Sequence, residues 1–410
     1  KSTDLFDADY LSYLRGFHFT GDIYAMPEGT VAFPGEVLLR FHGTTAEAML
    51  LETGLSMIMN HESLIATKAR RIRTVAPHDV IMEFGLRRAQ GQSAGLWGAR
   101  AAMIGGFNGT SNVEAGRKFG IPVLGTMAHS WVMSFDSELE AFREYARQYD
   151  NPILLADTYH ALESGIPHAI ETFRELRKEG RLPKVYGIRL DSGDLTYLSK
   201  EARRMFEEAG FPDAIIAGSN DLDEYTIQAL KQQGCTVSSW GVGTKCITAD
   251  GSPALGGVFK MCAQEKDTGG FEAKMKISDN VSKITNPGIK DVRRFYSKKT
   301  GKMITDLVSL REEQDPSGDY TFVTESARWR TKTLKSGSYE VQNMLQPVIR
   351  AGVPVADELP LREIAAYADR QIASLWPEYI RLMNPDIMEV NLSANLQHLK
   401  NEIIEKNRGC

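Results

Sequence analysis

Between residues 76 and 255 the chain alternates short, almost wholly apolar runs with longer stretches whose apolar positions recur at helical spacing. The short runs are VIMEF (80–84), IPVLGT (121–126), PILLAD (152–157), VYGIRL (185–190), AIIAG (214–218) and VSSWGVG (237–243). The long ones are a Gly/Ala-rich stretch after residue 91, SELEAFREYARQY (137–149), HAIETFRELRKEG (168–180), LSKEARRMFEEAG (198–210) and DEYTIQALKQQG (223–234). Strands apolar on both faces belong to a parallel sheet covered by helices. A series of at least six β/α units closes most readily into a TIM-like (β/α) barrel, although a doubly wound open sheet gives the same local pattern.

The flanks read differently. Residues 20–43 hold short apolar runs punctuated by Pro27-Glu28-Gly29 and Pro34-Gly35, the turn chemistry of antiparallel strands. Thr44 or Thr45 can cap a helix with Glu47 in its first turn, and one or two helices are expected to run to about Ala76. Beyond residue 255 the pattern becomes β-hairpins, with Lys299–Gly301 as one turn, and from about Pro360 it becomes helical. The expected organisation is 1–75 as the amino-terminal part of a smaller α+β domain, 76–255 as the barrel, and 256–410 as hairpins and helices that complete the smaller domain.

Composition narrows the classes. The chain has 410 residues, 48 Lys plus Arg against 53 Asp plus Glu, and a formal charge of −5. That balance provides no general field for nucleic acid or an anionic membrane, so a polyanionic ligand must meet a local cluster of cations. Four cysteines without a CxxC pair exclude a disulfide scaffold and a thiolate zinc site, and a reducing cytoplasm is expected. No apolar run reaches the length of a membrane-spanning helix, and the polar opening residues do not read as a signal peptide.

Chemistry collects where each expected strand ends, the ligand-binding rim of a (β/α) architecture. Arg87 follows the first run, Thr126 and His129 the second, and Asp157 the third; then come Arg189 and Asp191, Gly218-Ser219, and Gly241, Gly243 and Thr244. Glycine lets phosphate oxygens approach backbone N–H groups, and the last strands of a barrel usually hold phosphate, although tight turns also explain such loops. Arg189 offers a planar fork for phosphate or carboxylate. Asp191, two residues on, can accept from sugar hydroxyls or hold a divalent metal with Asp157, which otherwise caps a helix. A hard, oxygen-ligated cation such as Mg²⁺ is the only metal this pattern suits. His129 stands apart from the other histidines through its place at the rim, suited to a general base or a nucleophile.

Together EFGLRRAQG, GTSNVEAGRKFGIPVLGTMAHSW, YGIRLDSGDL, GSNDLDE and WGVGTK resemble, in this order, the segments of nicotinate phosphoribosyltransferases, and the resemblance extends over nearly the whole chain. It implies transfer of phosphoribosyl from phosphoribosyl pyrophosphate to nicotinate, coupled to ATP hydrolysis through a phosphohistidine at His129, with Mg²⁺, in a homodimer with shared active sites. Arg87 and Arg189 would then hold phosphates and the pyridine carboxylate, Asp191 the ribose hydroxyls or the metal, and Gly218, Ser219, Gly241 and Gly243 the 5′-phosphate. Thr110-Ser111-Asn112 lies where nicotinamide-using relatives have an acidic residue, and Ser111 can donate to a carboxylate that an acid would repel. The alternatives are a nicotinamide enzyme or an inactive ligand-binding subunit. The family's amino-terminal segment, whose Tyr stacks on the pyridine from the neighbouring subunit, is not matched. One face of that stack is therefore unassigned, and Phe84 is expected to supply the other.

Overall fold

The computed structural model describes residues 5–278, 284–323 and 331–407. The chain divides into two compact units, one of residues 59–256 with 361–366, the other of 1–58, 257–360 and 367–410. The division falls at Ile58, inside a single helix of 31 residues, Thr45–Val75, whereas the pattern of apolar runs placed it after that helix.

The 59–256 unit carries a six-stranded sheet in the order Gly109–Thr110, Val80–Glu83, Ser239–Val242, Ile215–Asn220, Gly187–Leu190, Ile153–Leu155, with every neighbour parallel. Helices return the chain between strands, and short polar side chains start them: Asn112, Ser137, Asp194 and Asp223 each accept from a backbone N–H in the first turn. Ile81, Leu154, Ile188, Ile216 and Trp240 are buried in the sheet, and Phe142, Phe173 and Phe206 cover it from the helices. Burying each such side chain contributes roughly 1.5–3 kcal/mol.

The expected closed barrel is not formed. The hydrogen-bonded ladder ends at Gly109–Thr110 on one side and Ile153–Leu155 on the other, and these edges do not pair. The run at 121–126, expected as a full strand, contributes one bridge, Val123 to Thr110. Pro122 within it has no N–H to extend a ladder. Across the gap, His129 Nδ1 lies 3.1 Å from Thr158 Oγ1 beyond the Ile153–Leu155 edge, and Arg189, from the neighbouring strand Gly187–Leu190, donates to the Thr126 hydroxyl. The unit is a mixed α/β fold with an open parallel sheet.

The other unit holds two four-stranded sheets. In one, Asp22–Ala25 pairs antiparallel with Leu39–His42 and with Gln346–Arg350. In the other, Lys290–Ser297 and Met303–Leu310 form a hairpin whose turn uses Gly301 at φ 67°, and Val390–Leu392 joins Met303–Leu310 in parallel. This last strand interrupts the carboxy-terminal stretch expected to be helical, lying between the helices Leu361–Ser374 and Ala394–Lys406. At the head of the long helix Thr44 and Glu47 cap each other, Thr44 N donating to Glu47 Oε2 at 2.8 Å and Glu47 N to Thr44 Oγ1 at 3.2 Å. Burial would push the Glu47 carboxyl up, but the donors of Thr20 and Thr44 outweigh it and hold it at about 2. No helix among the described residues is long and apolar enough to cross a membrane.

Candidate active site

The parallel strands are apolar where they cross the core and turn polar toward their carboxyl ends and in the loops that follow, so the six strands deliver these residues to one rim. Two hydrogen-bonded groups form there.

The first is built around Arg189 and Asp191. Arg189, the third residue of Gly187–Leu190, donates to the Thr126 hydroxyl, while its Nε is buried without a partner. Burial lowers the pKa of its guanidinium and neighbouring Arg87 adds to this, against Asp191, Asp157 and Tyr145, which favour the charge. Asp191 Oδ1 accepts from the Ser219 hydroxyl, and Oδ2 lies 3.6 Å from His129 Nε2. Burial raises the Asp191 carboxyl, but Ser219, Arg189 and His129 together bring it below its ordinary value. Asp157 Oδ2 accepts from Asp191 N at 2.8 Å and from Ser192 Oγ at 2.6 Å, whereas its Oδ1 is buried and unpartnered. His129 opens the short helix His129–Met133 and keeps 39% of its side-chain surface exposed, against 35% for Asp191, so both remain open to a ligand.

The second group surrounds Phe84. Its N–H donates to Val242 O at 2.8 Å, and its ring lies where a side chain at position 241 would be, because a Cβ on Gly241 would come 2.6 Å from Phe84 Cδ2. Arg87 projects from the exposed turn Leu86–Arg88. Thr110 is buried and donates to Glu83 Oε2 at 2.6 Å, while exposed Ser111 is tied by its N–H to Glu83 O at 3.0 Å. A Cβ on Gly241 would also lie 3.2 Å from Ser219 Cβ, which joins this group to the first.

The glycines divide. Gly218 and Gly241, expected in a phosphate cradle, lie beside Val237, Trp240 and the Phe84 ring, which take the space a Cβ would fill. Gly243 precedes the four-residue helix Thr244–Ile247, and a Cβ there would approach Phe84 O to 3.1 Å. Thr244 accepts from Thr248 at 3.1 Å through its carbonyl.

Sequence reasoning assigned no role to Thr158, which meets His129, to Ser192, which meets Asp157, or to Glu83, which underlies both loops of the second group. The last had a signal: a carboxylate inside the apolar run VIMEF.

Among the described residues no cluster of three or more His, Cys, Asp or Glu forms a ready-made metal site. The donor set fits Mg²⁺ all the same, because that ion binds through one or two carboxylates with water and substrate phosphates completing its shell. Asp157 Oδ1, buried and lacking a donor, together with Asp191, offers such an arrangement.

The chain matches three family models in order: the nicotinate phosphoribosyltransferase N-terminal domain at residues 1–60, the nicotinate phosphoribosyltransferase family at 80–287, and the nicotinate phosphoribosyltransferase C-terminal domain at 289–400. It is 42% identical over 379 residues to a Bacillus subtilis protein named nicotinate phosphoribosyltransferase, covering 91% of this chain and 75% of that one. A human protein of the same name is 32% identical over 455 residues, 97% of this chain and 82% of the relative. The crystal structure of human nicotinic acid phosphoribosyltransferase superposes with a TM-score of 0.78 at 28% identity, covering 97% of this chain and 85% of that one. A Pyrococcus furiosus nicotinate-nucleotide pyrophosphorylase structure, at 24% identity and a TM-score of 0.65 over 90% of this chain and 84% of its own, shares the fold. The strand-end segments that build both groups of the site lie within the central match, and the chain belongs to the nicotinate phosphoribosyltransferase family.

Proposed function

We propose that the chain transfers phosphoribosyl from phosphoribosyl pyrophosphate to nicotinate, in NAD salvage, and drives the transfer with ATP through His129. The pyridine nitrogen attacks the anomeric carbon with its lone pair, and the bond to pyrophosphate breaks with its electrons on the leaving oxygen. No proton is transferred, so the chemistry asks for positioning and charge, not for a general base. Arg87 and Arg189 hold anionic groups, Asp191 faces the ribose hydroxyls and the cationic character that develops at the sugar, and Phe84 offers a face to the pyridine. Mg²⁺ held by Asp157 and Asp191 would neutralise charge on pyrophosphate as it leaves.

In the ATP-coupled step an imidazole nitrogen of His129 bonds to the γ-phosphorus while the bond to ADP breaks, and water later releases phosphate. The added charge and acceptor oxygens organise the cations around the site. The observation that carries this reading is the open valence at the rim: Arg189 Nε lacks an acceptor and Asp157 Oδ1 lacks a donor, beside a half-exposed histidine. The family resemblance supports extending the proposal to a cytoplasmic homodimer with shared sites.

The test is labelling with γ-labelled ATP. Wild type is expected to take up acid-labile, base-stable label and His129→Asn to take up none, while keeping a slow ATP-independent transfer. Retained label in the variant places the nucleophile elsewhere. Loss of the slow transfer as well puts His129 in the ribosyl step itself. Equal turnover of nicotinamide and nicotinate would overturn the substrate assignment.

A further inference from the structure

Glu83 ends the Val80–Glu83 strand with its side chain fully buried, and among the described residues no cation pairs with it. Burying a lone carboxylate costs several kcal/mol unless its oxygens receive donors. Here each oxygen receives one, from a different loop: Oε1 from Gly85 N and Oε2 from Thr110 Oγ1 at 2.6 Å. The Thr110 hydroxyl in turn accepts from Asn112 N at 3.0 Å, and the Glu83 carbonyl accepts from Ser111 N at 3.0 Å. Position 85 is confined to glycine by the same contact, because a Cβ there would lie 2.7 Å from Glu83 Oε1 and 2.5 Å from Ile247 Cβ.

We infer that Glu83 is a positioning residue for nicotinate: its carboxylate ties the loop carrying Phe84 and Arg87 to the loop carrying Thr110 and Ser111, and so sets the width of the slot the pyridine enters. The inference rests on the substrate reading above. A carboxylate suits the task because it accepts on both oxygens, whereas a glutamine must reverse one of the two bonds, turning an N–H donor toward a Thr110 hydroxyl that already accepts from Asn112 N. Burial raises the Glu83 carboxyl above its ordinary value, and the hydrogen bonds from Thr110 and Gly85 oppose that rise without cancelling it. Neither group of the site needs Glu83 to touch substrate, since it acts through the loops that do.

The experiment is steady-state kinetics of Glu83→Gln, with Thr110→Val cutting the same bond from the loop side and serving as the readout should Glu83→Gln not fold. The Michaelis constant for nicotinate is expected to rise about tenfold, as for loss of one buried hydrogen bond, and that for phosphoribosyl pyrophosphate to rise clearly less, through Arg87 alone. Michaelis constants do not depend on the fraction of folded enzyme, so a general loss of stability cannot produce this split. Thr110→Ser, which keeps the hydroxyl, is expected to restore the wild-type value. An unchanged constant for nicotinate, or a parallel rise for both substrates, overturns the inference while leaving the substrate reading intact. A wild-type protein that does not turn over nicotinate overturns both.

Discussion

Two arginines, each set between two carboxyl groups, have opposite fates in this chain. In the 1–58/257–360/367–410 unit, Arg294 donates through Nε to Asp306 Oδ1 at 2.9 Å, through Nη2 to Asp306 Oδ2 at 2.7 Å and to Glu36 Oε1 at 3.4 Å, and through Nη1 to Gln371 at 2.9 Å. The side chains of Arg294, Asp306 and Glu36 are 0% exposed. Burial works against its charge, but Asp306 and Glu36 outweigh it and raise the guanidinium. In the other unit Arg189 has one hydroxyl partner and an unpartnered Nε, and burial leaves its pKa lowered despite Asp191 and Asp157. The same residue types give a closed network in one place and open valences in the other. A network whose donors and acceptors are used up contributes structure; one that keeps buried polar atoms waiting is arranged for a ligand.

The strongest way to break this comparison is to remove each arginine. Arg294→Met leaves two buried carboxyl groups without their cation, and a loss of about 3–5 kcal/mol is expected in denaturant unfolding, a large share of a domain's stability. A midpoint within error of wild type would show that the network is dispensable.

Arg189→Met should do the reverse. Asp191 keeps Ser219 and Asp157 keeps the Asp191 N–H and Ser192, so little stability is at risk, and a poorly solvated guanidinium is removed. The expected outcome is a fall in kcat/KM on the order of 10²–10³, as for loss of a charge-stabilising donor, with an unchanged or higher melting temperature. A drop in melting temperature comparable to that of Arg294→Met would class Arg189 as structural and remove the observation on which the proposed function stands.

The two arginines were also unequally legible. Arg189 and Asp191 were readable because an apolar parallel strand that stops abruptly in polar residues marks its own ligand-binding end, and VYGIRLDSGD does so within ten residues. Arg294 and Asp306 face each other across one hairpin, but Glu36 and Gln371 lie far from both in sequence, and no local period connects the four. Barrel closure failed for a related reason: it depends on whether 121–126 pairs on both sides, and Pro122 together with the two-residue strand Gly109–Thr110 leaves too few N–H groups in register. At Gly241 a glycine suits both a phosphate contact and a close packing neighbour, and the sequence could not show that the Phe84 ring lies where its Cβ would be.

The smallest expected effect concerns the proton that the closed network must hold. One guanidinium between two buried carboxyl groups balances one negative charge, and the second carboxyl is most stable protonated. Burial first, then the hydrogen bond and charge of Asp306, push Glu36 well above its ordinary range, with Arg294 and the Phe33 N–H opposing. Between the ordinary glutamate value and this raised one, the unfolded chain has released the proton while the folded chain retains it. The folded state binds more protons there, so the contribution of Glu36 is complete below the ordinary value and is lost as pH rises through the raised one. Glu36→Gln mimics the neutral carboxyl: its amide N–H₂ can donate to Asp306 while its oxygen accepts from Phe33 N–H. Wild type and variant should therefore melt within a degree or so of each other near pH 5, with the variant gaining a few degrees by pH 8. Melting curves that stay parallel across that range would mean that Glu36 is ionised in the folded protein, and Arg294 would then carry two negative charges at once.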